Sequence, residues 1–427
     1  MSIPLDRLYH YVEQTAQNIF GGSVIIYRFF PHGSKNIENL HQLSPYLTDP
    51  VEWTSSPEIY CNDQEPLNFD AYTEGNKLDT DPIEDEFQAR GMYLPRYNFR
   101  GQIRTIWDHA ILLHSEQRSS DLLKYQHSHF IPVYYWSHAL LSLDWFRFAK
   151  HIDMKKKSPS SLFLIYNRAW SGSREYRLKF MDMLIDKSLV DSCQTSCNTV
   201  EPETAHHYKS YQFENPQWRP QNKLEDYFQP NTSPSYYSAD FNQQDYVDTL
   251  IEVVLETLFD DSRIHLTEKS LRPIALGQPF ILMATHGSLA YLKRYGFRTF
   301  NEIWDETYDT IIDPLLRMNS VVNLMKSLSE WSDDEWLSKS LLIKEITTHN
   351  RQLFFSHEFE GKILFELAIN LSDGIRDLIE KNRGEGWTTR YDIILNDPHL
   401  LDIQSKILSL EQIEFLRKKV DVFKKHP

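Results

Sequence analysis

Cysteine is scarce in this chain of 427 residues: only Cys61, Cys193 and Cys197 occur. Stability through a secreted disulfide framework is not expected, and a reducing cytoplasm is the expected location. Cys193 and Cys197 stand four apart without the further Cys or His of a four-ligand zinc site, so no metal is expected there. Positive charge is in deficit too, with 45 Lys and Arg against 60 Asp and Glu, a formal net charge of −15. That balance favours solubility and argues against a surface that tracks nucleic-acid phosphates, although it does not forbid a local basic groove. No apolar run approaches the ~18 residues of a membrane span, and residues 1–18 lack the charged-then-apolar pattern of a signal peptide. No membrane span is expected. Motifs are missing as well. Without a Gly-x-x-x-x-Gly-Lys-[Ser/Thr] loop a P-loop nucleotidase is disfavoured, and without Gly-x-Ser-x-Gly so is an α/β-hydrolase. The 17 His include no His-Glu-x-x-His pair, and His206-His207 in a polar stretch reads as surface. No internal repeat or heptad run is evident.

What is present is ordinary globular usage, 41% hydrophobic and 25% charged, with 24 Phe, 23 Tyr and 10 Trp to fill large cores or line clefts. The length suggests two or three domains. Strands are expected at residues 23–30 (SVIIYRFF), 58–62 (EIYCN), 110–114 (AILLH) and 130–136 (FIPVYYW). An acidic surface excursion falls at 74–86. After a polar, Pro-bearing linker at 155–160 come a strand at 162–166 (LFLIY), a helix at 174–185, and a long irregular loop at 217–237. The type of 246–257, rich in β-branched residues, stays open. A helix at 270–276, a strand at 279–284 (PFILMA) and helices at 315–328, 333–351 and 363–380 complete the pattern. Strands alternating with helices indicate βαβ units and parallel sheets. In such sheets ligands sit beyond the carboxyl ends of the strands.

Four segments occupy such places. Residues 62–66 (NDQEP) follow the second strand, where Glu65 could accept a proton from an attacking hydroxyl; an acidic turn closed by Pro66 is the competing reading. Residues 167–177 (NRAWSGSREYR) offer Asn167, Arg168, Arg174 and Arg177 beside a helix start, a combination suited to a diphosphate. A solvated, positively charged first turn fits the same residues. Thr267-Glu268-Lys269 opens a helix, so Thr267 is an N-cap candidate, while Glu268 could hold ribose hydroxyls and Lys269 a phosphate. Residues 285–288 (THGS) place Gly287 where backbone can approach a ligand closely, or simply turn from strand to helix. Asp79-Thr80-Asp81 has the Asp-x-Asp spacing of some metal–nucleotide sites but lies in the acidic excursion, where a solvated loop is the simpler reading.

In order along the chain, these motifs resemble the α-1,3-fucosyltransferase family. Leu255-Glu256-Thr257 and, after eight intervening residues, Leu266-Thr267-Glu268-Lys269 look like its Phe-Glu-Asn and Val-Thr-Glu-Lys. Tyr166-Asn167 resembles its Ser-Asn, and Arg177, Phe180, Asp182 and Leu184 fall in register with its Arg-x-x-Phe-x-Asp-x-Leu helix. Residues 62–65 sit where the family carries a catalytic Glu, 108–111 (DHAI) resemble its Asp-Tyr-Ala-Ile, and 131–135 (IPVYY) its Met-Pro-Leu-Tyr-Tyr. The resemblance spans about residues 58 to 305.

It implies an α/β protein of GT-B type, two Rossmann-like domains facing across a cleft with a helical C-terminal extension. The expected boundaries are 1–157 for the acceptor side, 158–312 for the nucleotide-sugar side and 313–427 for the extension. It further implies an inverting glycosyltransferase that uses a nucleotide-diphosphate sugar and needs no metal or other cofactor. Glu65 is then the base, Arg177 and Lys269 hold the diphosphate, Glu268 holds the ribose, and Glu256 supports that pocket. Asn167, Arg174, Thr267 and Gly287 complete the implied donor side. Two positions depart from the family. Thr257 replaces its Asn, and residues 279–287 (PFILMATHG) replace Pro-Ile-Tyr-Trp-Gly. Donor sugar and base are therefore left open, as is the acceptor. A glycan or another hydroxyl-bearing molecule fits, and so does a hydroxylated DNA base approached through Arg96, Arg100 and Arg104. A nucleotide- or glycan-binding protein of the same fold without turnover is a further reading, as is a scaffold whose helical tail binds a partner.

Overall fold

The structure, a computed structural model, describes residues 11–12, 15–16, 25–29, 58–62, 97–99, 102–104, 110–115, 133–152, 159–201, 205–229, 240–260 and 263–381. Glu65, the Asp79-Thr80-Asp81 segment, Arg96 and Arg100 lie outside them. Contacts divide the chain into two units, residues 1–140 with 360–427, and residues 141–359.

In the first unit, β1 (Ile25–Phe29), β2 (Glu58–Asn62), β5 (Ala110–His114) and β6 (Val133–Tyr135) form a four-stranded sheet in the order β1-β2-β5-β6. Every neighbouring pair is parallel. A short antiparallel pair, β3 (Tyr97–Phe99) and β4 (Gln102–Arg104), was not foreseen. The strands arise where the sequence runs apolar without a helical period, the pattern of parallel strands covered on both faces.

The second unit begins within α1 (Ala139–Trp145). Its sheet contains β7 (Ser161–Asn167), β8 (Cys193–Cys197), β9 (Thr249–Leu255) and β10 (Phe280–Met283), in the order β10-β9-β7-β8. All three pairings are parallel. Phe163, Leu164, Ile165, Ile251, Val253, Val254, and all of β10 are buried. Between the strands run α2 (Tyr176–Asp186), α3 (Gln243–Val247) and α4 (Glu268–Leu276), and after β10 come α5 (Ser288–Arg294), α6 (Pro314–Ser329), α7 (Asp333–Phe354) and α8 (His357–Lys381). The segment left open by its β-branched residues resolves into α3, capped by Asn242 on the Gln244 amide, followed directly by β9. β8 escaped expectation because CQTSC has no large apolar residue. As an edge strand it needs few.

The helical stretch expected as a separate extension over 313–427 is divided by its contacts. Met318, Val321, Val322 and Met325 of α6 are buried, and α6 packs on β10 and α2; α7 packs on α4. From Glu360 onward α8 belongs to the first unit, where Ile363, Leu367 and Leu371 form a buried stripe and Asn370 Oδ1 accepts the Tyr135 amide at 3.2 Å. The unit boundary accordingly falls at 140/141 rather than at the expected 157/158. No helix among the described residues is long and apolar enough to cross a membrane.

A buried ion pair ties α4 to β9. Arg272 Nη2 meets Glu252 Oε1 at 2.5 Å, Arg272 Nε donates to the Tyr246 hydroxyl at 2.9 Å, and the guanidinium lies 4.8 Å over the Tyr166 ring. A pair of this kind repays its desolvation only when its remaining atoms are satisfied, as here. The helix ends on Gly277 (φ 69°), with the Gly277 amide donating to Ile274 O at 3.1 Å and the Gln278 amide to Pro273 O at 2.8 Å. That left-handed cap costs any residue with a Cβ ~1–2 kcal/mol, and the added Cβ would stand 3.4 Å from Arg351 Cδ. Gly277→Ala is expected to lower unfolding free energy by about 1–2 kcal/mol in urea titration.

Candidate functional site

In a parallel sheet the segments leaving the strands emerge at one edge. At the carboxyl edge of the second unit these are the residues following Asn167, Cys197, Leu255 and Met283. Because α4 runs back from that edge to the start of β10, its first turn lies there as well. Topology therefore brings Asn167, Arg174, Arg177, Glu256, Thr267, Glu268, Lys269 and Gly287 to a common edge.

The centre of this edge is the fully buried carboxylate of Glu256. Oε1 accepts the amides of Thr267 at 3.0 Å and Ser270 at 3.2 Å, together with the Ser270 hydroxyl. Oε2 accepts the Thr267 hydroxyl at 2.8 Å and the Thr257 amide at 3.3 Å. The Thr267 hydroxyl in turn accepts the Lys269 amide at 3.1 Å, so it is the N-cap of α4. Both readings of the Thr-Glu-Lys motif thus concern the same residues: the cap positions the side chains that follow it.

Lys269 Nζ lies 2.8 Å from Glu268 Oε1, 3.2 Å from Thr267 Oγ1 and 3.4 Å from Thr257 Oγ1. Its side chain is 13% exposed and that of Glu268 3%. The ammonium therefore sits at the surface end of a buried polar cluster. Thr257, which stands at the family's Asn position, takes part in that cluster.

Arg177 is buried beside the same strand end. Its Nη1 donates to Ala169 O at 2.7 Å, and its Nη2 to Leu255 O and Glu256 O, both at 2.9 Å. The buried Nε has no hydrogen-bond partner among the described residues. Burial pulls its pKa down, and three carbonyl oxygens supply the negative potential that solvent would otherwise provide. The Tyr176 hydroxyl also donates to Glu256 O, at 2.6 Å. Arg177 and Tyr176 thereby clamp the main chain from which the Glu256 carboxylate projects.

Asn167 is buried at the end of β7, with Nδ2 donating to Cys197 Sγ at 3.6 Å and Oδ1 without a partner among the described residues. Arg174 closes a 3-10 turn, Gly172–Arg174, and its Nε donates to Ser171 O at 3.3 Å. The amides of Trp170 and Ser171 donate to Glu201 Oε2 at 3.0 and 2.9 Å, and Glu201 Oε1 is buried without a partner among the described residues.

Gly287 adopts φ 84° at the start of α5. Its amide donates to Asp309 O at 2.7 Å, while the Asp309 carboxylate accepts the amides of Leu289 at 3.1 Å and Ala290 at 3.4 Å. Burial raises the Asp309 pKa against the pull of those amides. The starts of α4 and α5 are thus each capped by a carboxylate of this chain, as the helix dipole favours. Arg317 backs this region: it donates to Ala284 O at 3.1 Å and to Phe259 O, and burial pushes its pKa down to about 10.

Glu201, Asp309, Tyr176, Ser270 and Arg317 were missed by sequence reasoning. Glu201, in a loop, and Asp309, in a 3-10 turn at Thr307–Thr310, are both distant along the chain from the amides they hold, without any local motif. Ser270 was legible in principle, as a small hydroxyl residue three positions after the N-cap. Cys193 and Cys197 both lie on β8, with their thiols pushed up to about 12 by burial. Among the described residues no group of three or more His, Cys, Asp or Glu is arranged to hold a metal.

A cavity of about 1120 Å³ lies elsewhere. It is lined by the starts of β9 and β10 and the end of α4, at the opposite edge of the same sheet. Volume alone does not relocate the site, because the polar side chains converge on the carboxyl edge.

No family model matches the chain, and neither a curated protein nor a solved structure matches it.

Glu256→Ala orphans several buried donors at ~1–3 kcal/mol each, so an unfolding free-energy loss of about 3 kcal/mol or more is expected in denaturant titration. Asp182 supplies a pH test. Burial alone would raise its pKa, but Lys179 at 2.6 Å and the amides of Asn222 and Gln221 at 2.8 and 3.1 Å outweigh it, and the carboxyl is held below its usual range. A depressed folded pKa contributes stability that is present above the unfolded value of ~3.9 and lost below it. The stability advantage of wild type over Asp182→Asn should therefore be full at neutral pH and shrink as pH falls below about 4.

Proposed function

We propose that the chain is an inverting glycosyltransferase of GT-B type, moving a sugar from a nucleotide diphosphate to an acceptor hydroxyl. The observation that carries this reading is the single hydrogen-bonded cluster formed by Arg177, Glu256, Thr257, Thr267, Glu268 and Lys269 at the carboxyl edge of a parallel sheet. Those residues come from three separated stretches of sequence, and Arg177, Glu256, Thr267, Glu268 and Lys269 among them are on the donor side that the fucosyltransferase resemblance implies; Asn167, Arg174 and Gly287 stand outside the cluster. The parallel four-stranded sheet in each unit supports the two-domain part of the reading.

In this mechanism Lys269 is the mobile cation for the leaving diphosphate. Its longest bond, to Thr257 Oγ1, is the one a phosphate oxygen replaces. Glu268 is left to accept from ribose hydroxyls. Arg177, whose terminal nitrogens are committed to carbonyls, fixes the pocket floor and adds positive potential from beneath. Glu65 takes the proton of the acceptor oxygen as that oxygen bonds the anomeric carbon, while the bond to the diphosphate breaks on the opposite face and Lys269 stabilises the departing charge. No protein-bound metal enters this scheme.

A thermal-shift panel of guanosine, uridine, cytidine and thymidine diphosphates, with and without their sugars, tests the reading. One base is expected to stabilise the full chain, by about 2.7 kcal/mol at 100 times its dissociation constant, and Lys269→Ala should abolish the effect. Glu65→Gln should keep nucleotide binding and lose transfer and donor hydrolysis. Absence of stabilisation by every member of the panel would overturn the proposal. Unchanged turnover in Glu65→Gln would overturn the assignment of the base.

A further inference from the structure

The cavity at the amino edge of the second sheet has a composition at odds with the rest of the chain. Its floor is apolar, from Ile251, Leu276 and Pro279, and α7 adds Trp336, Leu337 and Ile343 as a wall. Three cations, Lys150, Lys344 and Arg351, line it against one acid, Asp333, in a chain of net charge −15. Neither lysine has a carboxylate partner among the described residues. Leu337 is 71% exposed although it lines an apolar hollow.

The charges are segregated along the helix. Arg351 Nη2 donates to Ala149 O at 2.7 Å and Ile152 O at 2.8 Å, which fixes Arg351 and brings the Lys150 main chain to the same end. Trp336 and Leu337 lie toward the other end. Trp336 and Arg351 are 15 residues apart on α7, roughly 22 Å of helix. A neighbouring hollow of about 470 Å³ on the other flank of α7 shares Lys344, but there Arg298 is already paired with Glu345 at 2.5 Å. Uncompensated positive charge therefore belongs to the larger cavity, where apolar walls strengthen its field.

We propose that this cavity binds a single-chain acyl carboxylate, its chain against Trp336, Leu337 and the apolar floor and its head at Lys150, Lys344 and Arg351. The volume of about 1120 Å³ is ample for such a ligand. This site is independent of the carboxyl-edge cluster and of the function proposed for it.

Calorimetric titration of the full chain with dodecanoate below its micellar concentration tests the assignment, with dodecanol and dodecyltrimethylammonium as neutral and cationic matches. Dodecanoate is expected to bind at least tenfold more tightly than either. The exposed double substitution Lys150→Glu with Lys344→Glu should weaken dodecanoate at least tenfold while leaving the thermal midpoint of the free protein unchanged. A brominated acyl carboxylate should quench part of the tryptophan fluorescence, and Trp336→Phe should remove that part. Equal binding of the three dodecyl compounds, no binding of dodecanoate, or affinity unaffected by the double substitution would overturn the proposal. So would quenching that persists in full in Trp336→Phe, and so would occupation of the cavity by a second copy of the chain, seen as a dimer that dodecanoate does not dissociate.

Discussion

The carboxylate of Glu256 is the constraint on which the carboxyl edge of the second unit's sheet depends. It leaves the end of β9 and captures the amides of Thr267 and Ser270, which fixes where α4 begins and therefore where Glu268 and Lys269 project. A buried carboxylate is costly unless its lone pairs are filled. Here amides and hydroxyls of the α4 start, with the Thr257 amide, fill them, and Arg177 and Tyr176 hold the carbonyl of the same residue from the other side. Strand end, helix start and the base of α2 are thus locked through one residue, with Lys269 at the surface of the lock.

The neighbouring helix start obeys the same logic with a different outcome. At α5 the Asp309 carboxylate occupies the Leu289 and Ala290 amides, and Gly287 turns the chain without presenting its own amide outward. A phosphate site made of bare helix amides is accordingly not what this edge offers. What distinguishes the α4 start is Lys269, whose bonds to Glu268, Thr267 and Thr257 lie on a side chain able to exchange partners. The two edges of the sheet differ in chemistry: carboxylates and hydroxyls around a cation at one, and at the other apolar walls with lysines that have no carboxylate partner among the described residues.

Much of this was legible in the sequence. LFLIY and PFILMA mark β7 and β10 because strands covered on both faces need continuous apolar residues, and parallel pairing followed from the helices between them. The Thr-Glu-Lys motif marked the start of α4 because an N-cap is a local chemical requirement. β8 was hidden because an edge strand tolerates CQTSC, and 246–257 was ambiguous because a short helix abuts a β-branched strand. The roles of Glu201, Asp309 and Arg317 rest on contacts between distant segments, which no local pattern encodes. Arg177 was singled out in the sequence, yet its bonding to three carbonyls, rather than to solvent or a neighbouring acid, emerges only from the fold.

The most direct test of the account is a structure of the protein determined with a nucleoside diphosphate bound. It should place a phosphate oxygen within hydrogen-bonding distance of Lys269 Nζ, with Thr257 Oγ1 displaced and the ribose against Glu268. A nucleotide bound at another surface, with Lys269 still held by Glu268, Thr267 and Thr257, would contradict it.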